Sequence, residues 1–364
     1  MKKNTNQNNY AISIGNITKA ATITKIPQTA SVEVSVTGAA TKPRPLRFFG
    51  EPDPPMREPL ESSSFTFSAR HVPDATLLVG SGVVFTPDGK SIKDTTYMTS
   101  GVEMKSSTER WPQIDETRRV MIAYNAGWRN YYHWTIQSMF STYVSLSYFG
   151  SAGNIFVYPQ IHPNAKELLY YVAERQFSPE IYFLHPRAQV GFRRAAILNS
   201  TYKNLAFNPS PLLGEFARHV LKNCPAQRTD GRKIYISRRD SKKRTIENED
   251  EVIKFLENQG FKALELSRLT VREQISAFAA AEIVVAAHGA GLTNVIYCNP
   301  NVRVIEMLPR SYQNPCFSTI GQALGIDWTV CVFDAGMLDG ALPASQKVLP
   351  WRVDLDLLKS ALAV

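Results

Sequence analysis

Between Lys233 and Phe333 the chain alternates apolar, β-branched runs with helix-length segments, and this alternation constrains the fold more than any other feature of the sequence. Lys233 to Ser237, Phe261 to Leu266, Ile283 to Ala287, Arg303 to Leu308 and Ile326 to Phe333 read as strands. Glu249 to Asn258, Thr270 to Ala281 and Ala290 to Tyr297 read as helices between them. Gly260 closes the first helix, and Thr270 with Glu273 three residues on forms a capping box at the start of the second. Strands joined through helices must pair in parallel, and right-handed crossovers then build a doubly wound sheet whose ligands bind at the carboxyl ends of the strands.

The first half is less regular but of the same kind. Thr76 to Phe85 and Arg119 to Tyr124 read as strands, Asn130 to Tyr148 as a long, mostly apolar helix, and short strands and helices alternate from Ile155 to Asn223. Residues 1 to 60 are rich in Asn, Thr, Ser and Pro; they read as a tail or arm in which Ala11 to Val36 could form edge strands or remain unfolded. The expected division is an arm over 1–60, an α/β domain over 61–225, a nucleotide-binding domain over 226–340, and a last segment and helix over 341–364. A chain of 364 residues suits two domains, and 44% hydrophobic against 20% charged residues excludes a disordered or fibrous chain.

The net charge of +9 favours phosphate-bearing partners, and much of the excess lies in Arg232 to Arg244, which reads as a local anion site. Cys224, Cys298, Cys316 and Cys331 lack zinc-type spacing and belong to a chain too large to need disulfide staples, so a reducing compartment is expected. Neither an apolar secretory core nor a membrane span is read from the sequence, which suggests a cytoplasmic protein with peripheral contact to the inner face of a membrane allowed by its basic surface. A nucleic-acid binder is disfavoured, because the basic residues are not interleaved with aromatics. No G-x-G-x-x-G follows an early strand, which disfavours a dehydrogenase.

Four constellations carry chemistry. Arg238 and Arg244 emerge with other basic residues just after the first strand of the second half, where guanidinium groups could grip a diphosphate; a solvated basic loop is the alternative. His288, Gly289, Ala290, Gly291 and Asn294 follow a buried strand and open a helix, an arrangement that could hold phosphate or merely make a tight turn. Glu306 lies in an apolar strand and must be paired, either with ribose hydroxyls or with an arginine such as Arg238. His133 and Gln137 share a helix face, with Trp134 beside them as a sugar-stacking platform; a buried aromatic cluster is the competing reading.

In this order, the pieces resemble glycosyltransferase family 61. The resemblance spans roughly Asn130 to Leu308 and is carried by Tyr235-Ile236-Ser237-Arg238-Arg239, by Arg244 with Asn248 to Val252, and by Ala281 through the His288 to Asn294 run to Glu306. It implies an α/β GT-B architecture, with two Rossmann-like doubly wound domains facing across a cleft. It also implies inversion at the anomeric carbon without cofactor or metal, and hence two partners, a nucleotide-sugar donor and a glycan or glycoconjugate acceptor. The donor would meet Arg238, Arg244, His288, Gly289, Ala290, Gly291, Asn294 and Glu306, and the acceptor Trp134 and Gln137. Family members resemble His-Trp-x-x-Asp at the start of the first-domain helix; the acidic position is Gln137 here, which cannot take a proton, so His133 becomes the expected base. The single Asp-x-Asp, Asp354 to Asp356, reads as a helix cap. The expected activity is transfer from a UDP-sugar in surface polysaccharide synthesis, with a catalytically silent binding protein as the rival.

Overall fold

The computed structural model describes residues 8–14, 17–23, 32–36, 44–57, 65–96, 99, 113–114, 118–198, 212–225, 227, 231–334 and 349–364. The chain forms two compact units, one drawn from residues 1–39 and 63–206, the other from 40–62 and 213–364.

Along the chain come β1 (Asn8–Ile14), β2 (Ile17–Ile23), β3 (Val32–Val36), β4 (Arg47–Phe49), α1 (Pro54–Arg57), β5 (Phe65–Leu78) and β6 (Val83–Phe85). There follow β7 (Gln113–Ile114), β8 (Arg119–Ile122), α2 (Phe140–Phe149) entered through a π-helical stretch at His133–Met139, β9 (Asn154–Pro159), α3 (Pro163–Leu169), β10 (Glu180–Leu184) and β11 (Gln189–Leu198). The remainder holds α4 (Leu213–Asn223), β12 (Lys233–Ile236), α5 (Glu249–Glu257), β13 (Lys262–Leu264), α6 (Val271–Ala280), β14 (Ile283–Ala287), β15 (Arg303–Pro309), α7 (Cys316–Leu324), β16 (Asp327–Phe333) and α8 (Leu355–Ala363).

The first unit is built on a mixed sheet. Its antiparallel part runs β1-β2-β3-β5 and joins β11, which continues in parallel through β8, β9 and β10. Every residue of β9 is buried, as expected of a central parallel strand covered on both faces. The span Thr76 to Phe85, expected as one strand, is instead the end of β5, a turn and β6, because the chain reverses at Gly82 with φ +70°.

The second unit holds a six-stranded sheet in the order β13-β12-β14-β15-β16-β4, parallel throughout. The expected strands and their order are present. The helix over Ala290–Tyr297 is of 3-10 type, and the Thr270–Glu273 capping box is formed in both directions. Gly260 takes φ +81°, the left-handed geometry that lets the chain leave α5 for β13.

Two segments lie elsewhere than the sequence suggested. Residues 47–49, expected in an arm, add the edge strand to β16, since Arg47 reaches both Thr329 and Asp327. The last segment is part of the second unit: Asn248 bonds both the amide and the carbonyl of Val353, and Leu358 and Ala361 of α8 join a core with Tyr235, Val252 and Ile305. The Arg303 guanidinium caps the carboxyl end of α8 through the Ala361 and Leu362 carbonyls.

Candidate active site

In the first unit, the chain leaving β8 stays buried through Tyr124 and Asn125 and turns at Gly127 before the π-helical stretch begins. A Cβ at position 127 would fall against Cγ of His133, so the glycine makes room for the imidazole. Nδ1 of His133 lies 2.8 Å from Oε1 of Gln137, and the same oxygen accepts from Nδ2 of Asn125 at 2.6 Å. Oδ1 of Asn125 accepts the Gly127 amide at 2.9 Å. The Tyr132 ring meets the imidazole edge-on, with centroids 5.2 Å apart. Burial lowers the His133 pKa and the Gln137 contact raises it, with a net shift downward, so the ring is neutral at neutral pH.

The other two residues expected beside His133 do not offer themselves to a sugar. Trp134 is 1% exposed, donates Nε1 to the Ala165 carbonyl and packs edge-on against Tyr158, so it presents no face for stacking. Gln137 is 2% exposed, and its oxygen serves His133 and Asn125 in place of an acceptor sugar. Sequence reading missed Asn125 and Gly127, although an Asn-x-Gly turn at the carboxyl end of a strand is a signal that could have found them.

In the second unit, the strand order reverses between β12 and β14, the switch point where doubly wound sheets bind ligands. Arg238 follows β12 and His288 follows β14, so the topology brings both motifs to that point. Arg238 is buried and bonded within the protein: Nε to the Arg244 carbonyl, Nη1 to the His288 carbonyl, and Nη2 to Ser241 Oγ and the Lys243 carbonyl. Burial, with Arg244 beside it, pushes its pKa down to about 10, which leaves it charged at neutral pH. Arg238 thus shapes the 238–244 loop, and most of its donors are spent on backbone oxygens, a correction to its expected place as a diphosphate clamp. Glu249 holds the start of that loop, its Oε1 accepting from Tyr235 Oη, Ser237 Oγ and the Arg238 amide.

Arg244 is different. It takes φ +52°, a strained value for an arginine, and its guanidinium lies over the Tyr312 ring at 4.3 Å, with Nε buried and without a hydrogen-bond partner among the described residues. Tyr312 and Phe317 in turn flank the His288 ring at 5.4 Å and 4.9 Å.

His288 Nδ1 lies 2.7 Å from Glu306 Oε1, and Glu306 Oε2 accepts from Trp328 Nε1 at 3.0 Å. The carboxylate is 0% exposed, so it pairs with neither ribose nor Arg238; the histidine and the indole satisfy it. The turn glycines also answer to protein neighbours. A Cβ at Gly289 would strike Arg238, and one at Gly291 would strike Leu266. Asn294 is buried and donates to Gln274 Oε1 and the Gly291 carbonyl, which fixes the turn from within. Ala290 is partly exposed at the head of the 3-10 helix. Tyr312, Phe317 and Trp328 went unread in the sequence, since each enters from a distant segment with no local motif.

Among the described residues no group of three His, Cys, Asp or Glu side chains could hold a metal ion, and no helix is long and apolar enough to cross a membrane.

Comparison with known proteins supplies the class. The Glycosyltransferase 61 family model matches residues 131–305, a span that holds the His133 relay and the switch-point loops. Shorter matches link the chain to Beta-1,2-xylosyltransferase of Arabidopsis thaliana, 30% identical over 63 residues, and Beta-1,2-xylosyltransferase RCN11 of Oryza sativa subsp. japonica, 31% identical over 62 residues. Each match covers 17% of this chain and 12% of the relative. These comparisons point to the glycosyltransferases as the class of protein that residues 131–305 resemble. Within that class, the chain carries a glycosyltransferase family 61 domain over residues 131–305.

Proposed function

We propose that the protein is an inverting, metal-independent glycosyltransferase of GT-B architecture, taking a UDP-sugar as donor and a glycan or glycoconjugate as acceptor in surface polysaccharide synthesis. The observation that carries the reading is the family match over 131–305, which takes in both a neutral, held histidine in the first unit and a switch-point site in the second. In this reading the donor belongs to the unit with Arg244 and the acceptor to the unit with His133.

The chemistry is a direct displacement. The acceptor hydroxyl oxygen attacks the anomeric carbon, the bond from that carbon to the diphosphate oxygen breaks, and the hydroxyl proton passes to His133. A positioned base of this kind contributes about 10² to 10⁴ in rate. Negative charge gathers on the departing diphosphate, and Arg244 with the amides heading the Ala290–Tyr297 helix supplies the compensating charge that a divalent ion provides elsewhere. The net charge of +9 favours work at the cytoplasmic face of an anionic membrane.

The test is a thermal-shift series with nucleotide sugars, followed by nucleotide release with acceptor glycans. A donor at about 100 times its Kd should stabilise the protein by about 2.7 kcal/mol. If no nucleotide or nucleotide sugar shifts the melting point, the reading fails.

A further inference from the structure

We infer that Asn125 and Gln137 are positioning residues that lock His133 as the Nδ1–H tautomer, leaving Nε2 as the proton acceptor. A chain of hydrogen bonds with a fixed direction sets the tautomer. The Gly127 amide can only donate, so Asn125 turns Oδ1 toward it and its NH2 group toward Gln137. Facing that NH2 group, Gln137 must present its oxygen, because its own NH2 there would set donor against donor. Nδ1 of His133 shares this oxygen at 2.8 Å and must therefore carry the hydrogen. One backbone amide thus fixes the state of a ring two side chains away.

Burial supports the direction. Asn125 and Gln137 are both buried, and Nε2 of Gln137 is a buried donor with no partner among the described residues, a cost that the flipped amide would not relieve without opposing Asn125. The imidazole is held on its other sides by Gly127 and the edge-on Tyr132 ring, and it is partly exposed. Burial and the Gln137 contact are the causes of its shift among the described residues, and Tyr132 is a titratable neighbour in ring contact.

The inference rests on the reading of His133 as the base and deepens it. When the acceptor hydroxyl gives up its proton, Nε2 gains it, and the imidazolium keeps its Nδ1–H bond to the amide oxygen. Gln137 orients the ring as a carboxylate would, without adding negative charge, so the base stays weak and neutral.

The experiment is nitrogen-detected proton NMR of the whole protein carrying 15N-histidine, with the His133 signals assigned from a His133→Gln variant. Above the pKa, Nδ1 should appear protonated and Nε2 unprotonated. The opposite tautomer would overturn the lock without any turnover measurement. In Gln137→Glu the same tautomer should persist, and the His133 titration, with the acid limb of kcat, should move up by about one pH unit or more because a carboxylate now faces the ring. An unmoved titration in a folded Gln137→Glu protein would also overturn it. Normal turnover in His133→Gln with the tautomer intact would instead sink the reading of His133 as the base.

Discussion

Nη1 of Arg238 occupies the space that a Cβ on residue 289 would fill, so Gly289 and Arg238 form a matched pair across the β12–β14 switch point. The arginine ties the 238–244 loop to the His288 carbonyl, and the glycine lets it come close enough to do so.

That relationship predicts strong coupling. Gly289→Ala should destabilise the fold by about 1 to 3 kcal/mol through overpacking, and Arg238→Ala by about 3 kcal/mol through the buried carbonyls it leaves unpaired. In the double variant most of the Gly289→Ala penalty should vanish, because the clash has lost its partner. Urea denaturation of the four proteins measures this; additive penalties would show that the two residues do not share the space.

Arg244 should separate donor binding from stability. Arg244→Ala is expected to weaken nucleotide diphosphate binding by about 10- to 100-fold, the range for a charge-assisted contact. Arg244→Gly should lose the same affinity yet melt higher than Arg244→Ala, since glycine relieves the φ of +52° by about 1 kcal/mol. Calorimetry and thermal melts read the two effects.

Glu306 is the acceptor for two buried donors, His288 Nδ1 and Trp328 Nε1. Glu306→Ala should therefore cost about 3 to 5 kcal/mol, and Glu306→Gln less, because its amide keeps one acceptor oxygen while its nitrogen opposes one donor. Chemical denaturation provides the ranking, and equal losses would count against the dyad.

The lowered pKa of His133 sets the pH dependence. In the proposed mechanism the neutral ring is the competent base, so kcat should be level above the ordinary histidine value of about 6.5 and fall only at more acid pH. For stability the sign is opposite to that of a salt-bridged histidine: the unfolded chain takes up the proton first, so this group turns against the fold as pH drops below about 6.5. A rate profile breaking above neutrality would contradict the assignment.

Activity should survive excess EDTA, because in the proposed mechanism Arg244 and the helix amides carry the charge on the leaving diphosphate. Loss of turnover on chelation, restored by magnesium or manganese, would replace this account with a metal-assisted one.

The sequence by itself determined the second unit's strands, their parallel pairing and the Thr270 cap, because hydrophobic period and capping are set within a few residues. It also led to His133, Arg244 and the turn after β14 as places to look, since those motifs sit at strand ends and a helix start. What it could not assign was the partner of each polar group. Arg238 and Arg244 look alike in sequence, yet one is consumed by backbone carbonyls and the other lies over Tyr312. Trp134 and Gln137 read as ligand contacts until burial placed one against Tyr158 and the other under His133. Glu306 finds Trp328, and Gly289 finds Arg238, only once the β12–β14–β15–β16 sheet has formed. Local propensity acts over a turn or a strand, whereas the pairing of a buried polar group is settled by whatever the tertiary fold brings within 3 Å of it, and that is where the tertiary structure decided this site.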